Sequence, residues 1–359
     1  MWTVTEDPIV DLRSPIEFEH GAIPGAVNLP LLDNDERHEV GTTYKQVGRH
    51  DAVSLGLELF AAKAERFAQE AVELAGDQKR LVVHCARGGM RSKSVALWLA
   101  TMGLNVELLE GGYKAYRKEV LAILQRCARH PMITLHGRTG SGKTSLLRAL
   151  SQHIPVLDFE HIAAHRGSAF GDFAIGRPQP SQQNFENVLA NDYLKCEHIP
   201  TLIVEIENFI GSIILPHELR ESVIGAPIVL VTRDFEDRVE RLAAEYAPVW
   251  NDSLQATFEQ RMLMLKSHLS HADRAAMIGA TARGDFRTAV EMLLSLRYDP
   301  VYDKGIRRLD HRVVARFNLT HEKQAAIAYL KEAAYRPLPD SVQSHVPAQQ
   351  PLEGSSALR

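Results

Sequence analysis

Cysteine is scarce in this chain. Three thiols, Cys85, Cys127 and Cys196, in 359 residues are too few and too scattered for a disulfide framework, which points to a reducing cytoplasm. Cys127 and Cys196 fall in helical patterns with no partner ligands nearby and read as packing residues. No cluster has the spacing of a zinc site. Long apolar runs are also missing. The stretch from Thr201 to Leu215 is cut by Glu205, Glu207 and Asn208, well short of the roughly 18–20 apolar residues that cross a bilayer, so no membrane partner is expected. The opening ten residues include Glu6, Asp7 and Pro8 and no basic stretch ahead of an apolar core, so no signal peptide is expected. Nor is there a surplus of positive charge: residues 1–125 hold 14 basic against 18 acidic side chains, and 126–359 hold 27 of each. A nucleic-acid partner must therefore meet a local basic face. What the chain does have is 45% hydrophobic and 24% charged residues, enough to bury real cores. At roughly 100–200 residues per domain its length suits two domains.

Apolar periodicity supports that division. Pro8 to Leu12 reads as a strand, and Phe60, Ala64, Phe67, Ala71 and Ala75 recur on one helical face. A strand at Leu81 to His84, a helix from Arg91 to Met102, a strand at Val106 to Leu109 and a helix from Tyr113 to about Arg126 follow. This βα rhythm predicts a parallel-sheet α/β domain over residues 1–125. A second cycle starts after Pro131, with a strand from Met132 to His136, a Gly-rich turn and a helix opened by Lys143. Strands at Thr201 to Ile206 and Pro227 to Thr232 extend it. Beyond Asp234 the pattern is almost wholly helical, through Phe258–Leu269, Phe286–Leu296 and Thr320–Tyr335. Residues 126–336 are thus read as a second α/β domain with a helical C-terminal part. Residues 337–359 contain four Pro and four Ser and little that could form a core, and are expected to be a disordered tail.

The first chemical motif is His84-Cys85-Ala86-Arg87-Gly88-Gly89-Met90-Arg91-Ser92, between a strand and a helix. Backbone N–H groups of such a loop and of the helix N-terminus converge on one point and stabilise a thiolate or anion there. Arg87 and Arg91 add positive charge, and Gly88 and Gly89 let the backbone bend. Cys85 is a nucleophile candidate, while His84 reads as a core or loop histidine at a strand end. As Cys-x₅-Arg-Ser the loop fits a tyrosine phosphatase, but no Trp-Pro-Asp general-acid loop lies upstream. Its flanks, Asp11-Leu12-Arg13-Ser14-Pro15, His20-Gly21-Ala22-Ile23-Pro24-Gly25 and Glu110-Gly111-Gly112-Tyr113, resemble a rhodanese domain.

The second motif, Gly137-Arg138-Thr139-Gly140-Ser141-Gly142-Lys143-Thr144, satisfies G-x-x-x-x-G-K-[ST] after a strand and at the start of a helix, the setting of a phosphate-binding P-loop. Its N–H groups surround phosphate oxygens, Lys143 bridges them, and the Thr144 hydroxyl offers a ligand to Mg²⁺. Glu205 ends the apolar strand Leu202-Ile203-Val204, where a metal-holding acid of such folds stands, with Glu207 on the same face. No Asn-Lys-x-Asp base-reading motif is present, which argues against a GTPase.

The fusion of the two modules resembles tRNA 2-selenouridine synthase up to about Arg336. Further support comes from His165-Arg166-Gly167-Ser168-Ala169-Phe170-Gly171, Gln179-Pro180-Ser181-Gln182 with Phe185-Glu186-Asn187, Glu205-Ile206-Glu207-Asn208 and Tyr298-Asp299-Pro300-Val301-Tyr302-Asp303. Three positions depart from the family pattern: Ala86 stands where Trp is usual, and Ile206 and Asn208 interrupt an acidic stretch. The resemblance implies a selenotransferase acting on the wobble 2-thiouridine of tRNAs for Lys, Glu and Gln. Geranylation by geranyl diphosphate would be followed by selenation from selenophosphate. Cys85 would be the selenium-carrying or displacing nucleophile, with no tightly bound cofactor and the need for Mg²⁺ left open. An ATP-coupled sulfurtransferase, or a nucleotide-switched regulator with a docking rhodanese domain, remain as alternatives. For tRNA phosphates the local basic candidates are Arg307 and Arg308, with Arg312 and Arg316 close in sequence, and Arg126 and Arg129 at the domain junction.

Overall fold

The structure, a computed structural model, describes residues 6–165, 170, 173, 176–205, 210–265 and 269–336. Several positions singled out above therefore lie outside the described residues: Arg166, Gly167, Ser168, Ala169 and Gly171, then Ile206, Glu207 and Asn208, and the whole of 337–359. The chain forms two compact units, Met1–Leu124 with Pro180–Asn191, and Gln125–Gln179 with Asp192–Arg359.

Unit 1 is built on four parallel strands, β1 (Ile9–Asp11), β2 (Val27–Asn28), β3 (Arg80–His84) and β4 (Asn105–Leu108), in the order β2-β1-β3-β4. Chain connections diverge between β1 and β3, the kind of point at which ligands bind at the carboxyl ends of parallel strands. The register sets Asp11 beside His84 there. Val10, Leu12, Leu81 and Val83 form the core with Phe67, Ala71 and Leu99 from the covering helices. The apolar face expected from Phe60 to Ala75 is divided between two helices, Arg49–Ala61 and Ala64–Ala75. Phe60 still joins the cluster, its ring 5.3 Å from that of Phe67 in an edge-to-face contact. Periodicity did not announce Asn34–Gln46 or Arg49–Ala61, because Ala52 is the one buried residue in the pair.

Pro180–Asn191 groups with unit 1 although it lies within the stretch read as the second domain. Its short polar side chains satisfy backbone groups of the 19–22 turn. Ala22 N–H donates to Asn184 Oδ1 (2.7 Å), Asn184 Nδ2 donates to Glu19 O (3.0 Å), and Ser181 Oγ donates to His20 O (2.6 Å). Such contacts leave no apolar periodicity to read.

Unit 2 has a second parallel sheet of β5 (Met132–His136), β6 (Leu202–Glu205), β7 (Ile228–Thr232) and β8 (Val313–Asn318), in the order β6-β5-β7-β8. β5 is buried throughout, and its Leu135 sits opposite Glu205 of β6. The region beyond Asp234 is not wholly helical, because β8 interrupts it. β8 is an edge strand with alternate residues facing solvent, so its apolar signal is thin, and the neighbouring arginines masked it as a basic run. The expected helices there span Asp252–Met264, Phe286–Leu293 and Lys323–Ala334, joined by Phe235–Tyr246, His271–Ala282 and Asp299–Leu309, with a wide π-helical turn at Leu294–Tyr298. Phe258, Met262 and Met277 form a satellite core with Phe170 and Phe173.

Candidate functional site

In unit 1, β3 ends at His84 and the helix Met90–Thr101 follows after five intervening residues. The chain turns between them through Gly88, whose φ is +62° and where a Cβ would stand 2.8 Å from Gly111 N, so a side chain is excluded. That closeness lets the N–H groups of Tyr113 and Lys114 donate to the carbonyls of Cys85 and Ala86, each at 3.0 Å. The loop's outward carbonyls are thereby occupied. The N–H groups of Arg87, Gly89 and Ser92 and the Ser92 hydroxyl, 3.3 Å from Sγ, serve the thiol. Cys85 is buried, and burial alone would push its titration up. The Ser92 hydroxyl and the three N–H groups outweigh that and hold Cys85 below the ordinary thiol value. Arg87 is exposed and Arg91 half-buried, and nothing among the described residues takes either into an ion pair, so both charges are available to an anionic ligand.

The loop rests on a polar core. Asp11 receives Arg13 through Nε (3.0 Å) and Nη2 (2.5 Å), both side chains buried. The guanidinium lies 3.7 Å from the centroid of the Tyr113 ring. The Tyr113 hydroxyl donates to Gln183 Oε1 (3.1 Å) and accepts from Asn187 Nδ2 (3.0 Å). Asn187, fully buried, also donates to Ala22 O (2.7 Å) and accepts from Arg117 Nη1 (2.5 Å). Asn187 thus fixes the side chain of the residue whose N–H holds Cys85; in the sequence it stands only within a stretch that carries the family resemblance. His84 is a core histidine 3.6 Å from Asp11 Oδ2. Burial holds it below the ordinary imidazole value, against the pull of Asp11 and with the push of Arg13, so it is neutral and serves as packing.

In unit 2, Gly142 adopts φ +94° and caps the helix Lys143–Ser151, a left-handed geometry that favours glycine. Lys143 is buried, with Nζ donating to Gly137 O at 3.0 Å. The Thr144 hydroxyl lies 3.2 Å from Glu160 Oε2 and 3.4 Å from Glu205 Oε2, both carboxylates buried. The structure brings Glu205 to the phosphate loop and adds Glu160, from the short helix Phe159–Ala163. No local motif marks Glu160. These three oxygen donors fit a hard divalent cation. His136, just before the loop, is pushed down to about 4 by burial, then by Lys143 and Arg312, and is neutral at pH 7.

Three arginines border the loop. Arg238, buried, donates from Nε to Thr139 O (2.9 Å) and clasps Asp299 with both Nη atoms (2.9 and 2.5 Å). Arg138 is held by Asp303, and Arg233 donates to Ser141 O at 3.3 Å. The Tyr298–Asp303 motif therefore lies against the phosphate loop.

The basic cluster near residue 310 is not one face. Arg307 and Arg308 are exposed in the last turn of the helix Asp299–Leu309. Arg312 is half-buried and donates to Ala226 O at 2.9 Å, while Arg316, on β8, pairs with Asp310. Arg126 pairs with Glu197 at 2.8 Å, and Arg129 is exposed. Cys127 and Cys196 are buried and both pushed up to about 12 by burial, which makes them inert near neutral pH. No helix among the described residues is long and apolar enough to cross a membrane.

Residues 2–119 match the rhodanese-like domain family, and residues 130–274 match the tRNA 2-selenouridine synthase AAA domain. Among solved structures, the chain is similar to the crystal structure of an N-terminal domain of a protein from Clostridium difficile 630. The two are 44% identical, over 33% of this chain and 92% of that one, with a TM-score of 0.32.

Proposed function

Since a rhodanese-like domain joined to a tRNA 2-selenouridine synthase AAA domain makes this chain a tRNA-modifying enzyme of that family, we propose that it converts wobble 2-thiouridine to 2-selenouridine in tRNAs for Lys, Glu and Gln. The substrates are geranyl diphosphate and selenophosphate. In the first step the 2-thio sulfur attacks C1 of the geranyl group, the C1–O bond breaks and pyrophosphate leaves. Lys143 and the N–H groups of residues 137–144 take up the charge that develops on it. The oxygens of Thr144, Glu160 and Glu205 would hold a Mg²⁺ ion, which would supply further neutralisation of the leaving group.

In the second step Cys85 acts as the displacing nucleophile. Selenium in selenophosphate is already at the selenide level, so loading it onto the cysteine as an S–Se bond would need a two-electron oxidant that neither substrate supplies. The balanced route forms a bond from Cys85 Sγ to C2 of the base and expels geranylthiolate. The selenium of selenophosphate then attacks C2 and returns the Cys85 thiolate. Water cleaves the Se–P bond and releases phosphate. Arg87 and Arg91 suit the selenophosphate anion, and Gly88, Gly89 and Ser92 shape the cradle. Arg307 and Arg308 are the exposed arginines assigned to tRNA phosphates.

One observation carries this reading: a buried thiol whose titration is nonetheless lowered by four hydrogen bonds is prepared for covalent work. The test is nucleoside mass spectrometry of 2-thiouridine tRNA incubated with the protein, geranyl diphosphate and selenophosphate. Wild type yields 2-selenouridine, and Cys85→Ser accumulates S-geranyl-2-thiouridine. Formation of 2-selenouridine by Cys85→Ser at the wild-type rate would remove Cys85 from the chemistry.

A further inference from the structure

The helix Asp299–Leu309 opens with residues that share a face, Asp299, Tyr302 and Asp303, at i, i+3 and i+4. That face runs along the phosphate loop. Asp299 engages Arg238, which holds the Thr139 carbonyl, the Tyr302 ring centroid lies 5.9 Å from Lys143 Nζ, and Asp303 accepts from Arg138 Nε (2.9 Å) and Nη2 (2.5 Å). The acid–arginine contacts differ in kind, and they are linked, since Arg138 Nη1 also lies 3.6 Å from Asp299 Oδ2. Arg238 is 1% exposed and makes three hydrogen bonds, a fixed strut. Arg138 and Asp303 are 41% and 34% exposed, so water reaches their pair and the contact is worth at most about 1 kcal/mol. Arg138 is nevertheless the second residue of the loop whose backbone cradles phosphate. A loop built for an anion thus carries a cation already neutralised by a carboxylate that imitates the ligand.

We propose that Asp303 is an internal counter-ion of the phosphate loop, holding Arg138 until a diphosphate displaces it and takes the guanidinium for itself. Asp303 meets Nε and Nη2 with the single oxygen Oδ1, whereas a phosphate group can offer that edge two oxygens and more charge, so the exchange favours a ligand with several negative charges. The carboxylate sets a threshold that weakly charged anions meet less well. The proposal rests on reading residues 137–144 as an anion site.

The test is titration of the full chain with pyrophosphate, in Mg²⁺ buffer at low and high salt, using wild type, Lys143→Ala, Asp303→Asn, Arg138→Ala and the Arg138→Ala/Asp303→Asn double variant. Asp303→Asn should bind pyrophosphate about two- to fivefold more tightly at low salt, the worth of one exposed pair. The advantage should shrink at high salt. Arg138→Ala should bind more weakly than wild type, and the double variant should match it, because the carboxylate acts through Arg138. Asp303→Ser, which removes the same charge with a smaller side chain, should move in the same direction as Asp303→Asn. Weaker or unchanged binding by both Asp303 variants, or the same gain persisting without Arg138, overturns the proposal. If Lys143→Ala binds as wild type does, the anion-site reading itself fails; if Lys143→Ala is weakened while the Asp303 variants gain nothing, only the counter-ion role fails.

Discussion

Replacing Ser92 by alanine removes one of the four hydrogen bonds that offset the burial of Cys85. A hydrogen bond to a charged group contributes about 1.5–3 kcal/mol. Sulfur at 3.3 Å is a weak acceptor, and in the thiol state the same hydroxyl can turn to Gly89 O, also at 3.3 Å. A value just under that range is therefore appropriate, about 1.4 kcal/mol or tenfold in the thiolate-to-thiol ratio. The sign follows from which form loses its partner. The charged form does, so the titration moves up. Below it the thiolate population falls about tenfold, while well above it the variant and wild type converge. The assay is the ultraviolet absorbance of the thiolate against pH, with Cys85→Ala as the blank. Cys127 and Cys196, pushed up to about 12, contribute nothing near neutrality. Iodoacetamide labelling of Cys85, followed by peptide mapping, gives the same comparison as a rate. The labelling rate should fall by less than the population does, because a thiolate of higher pKa is intrinsically more nucleophilic. Superimposed titrations of Ser92→Ala and wild type would refute the argument and leave the backbone N–H groups as the whole cause.

Lys143→Ala should slow single-turnover geranyl transfer on the order of 10²–10³-fold, the cost of one lost charge-stabilising donor, while selenation of tRNA already carrying the geranyl group proceeds as in wild type. Asn187→Ala removes the three hydrogen bonds of a buried side chain and should lower the stability of unit 1 by about 1–3 kcal/mol, read from denaturant unfolding; a midpoint equal to wild type would count against its anchoring role. Arg307→Glu with Arg308→Glu should flatten the log–log salt dependence of tRNA binding by roughly 0.7–0.9 per lost phosphate contact. Two contacts are the ceiling, since Arg312 and Arg316 are committed within the protein, and an unaltered slope would place the tRNA elsewhere.

The features readable from the amino-acid order are those whose chemistry is carried by consecutive residues. Residues 85–92 and 137–144 are each a loop between one strand and one helix, so spacing alone defines the cradle. Glu205 was within reach because a strand end next to the loop strand is a topological position. Glu160 was not, and Asp299 and Asp303 stand in the sequence only within a resemblance motif, since each acts across a distance that only packing closes. The same holds for Asn184 and Asn187, whose partners lie some 160 residues earlier or in the Tyr113 turn. The arginines near residue 310 are close in sequence but differ in setting. Arg312 precedes an edge strand and Arg316 lies on it, so no helical periodicity relates them to Arg307 and Arg308. β8 was hidden by the same run, because an edge strand with one paired side needs few apolar residues.

The grouping of Pro180–Asn191 with the first 124 residues also orders events during translation. When Leu124 is made, the turn at 19–22, the Tyr113 hydroxyl and Arg117 still await partners up to Asn187, encoded 63 residues downstream. At roughly 5–20 residues per second that is a delay of about 3–13 s. Closing so long a loop costs little more entropy than closing one half its length, so the delay is set by synthesis rather than by search. The nascent rhodanese sheet waits, and the cysteine site, first to be encoded, is completed only after the phosphate loop has been polymerised.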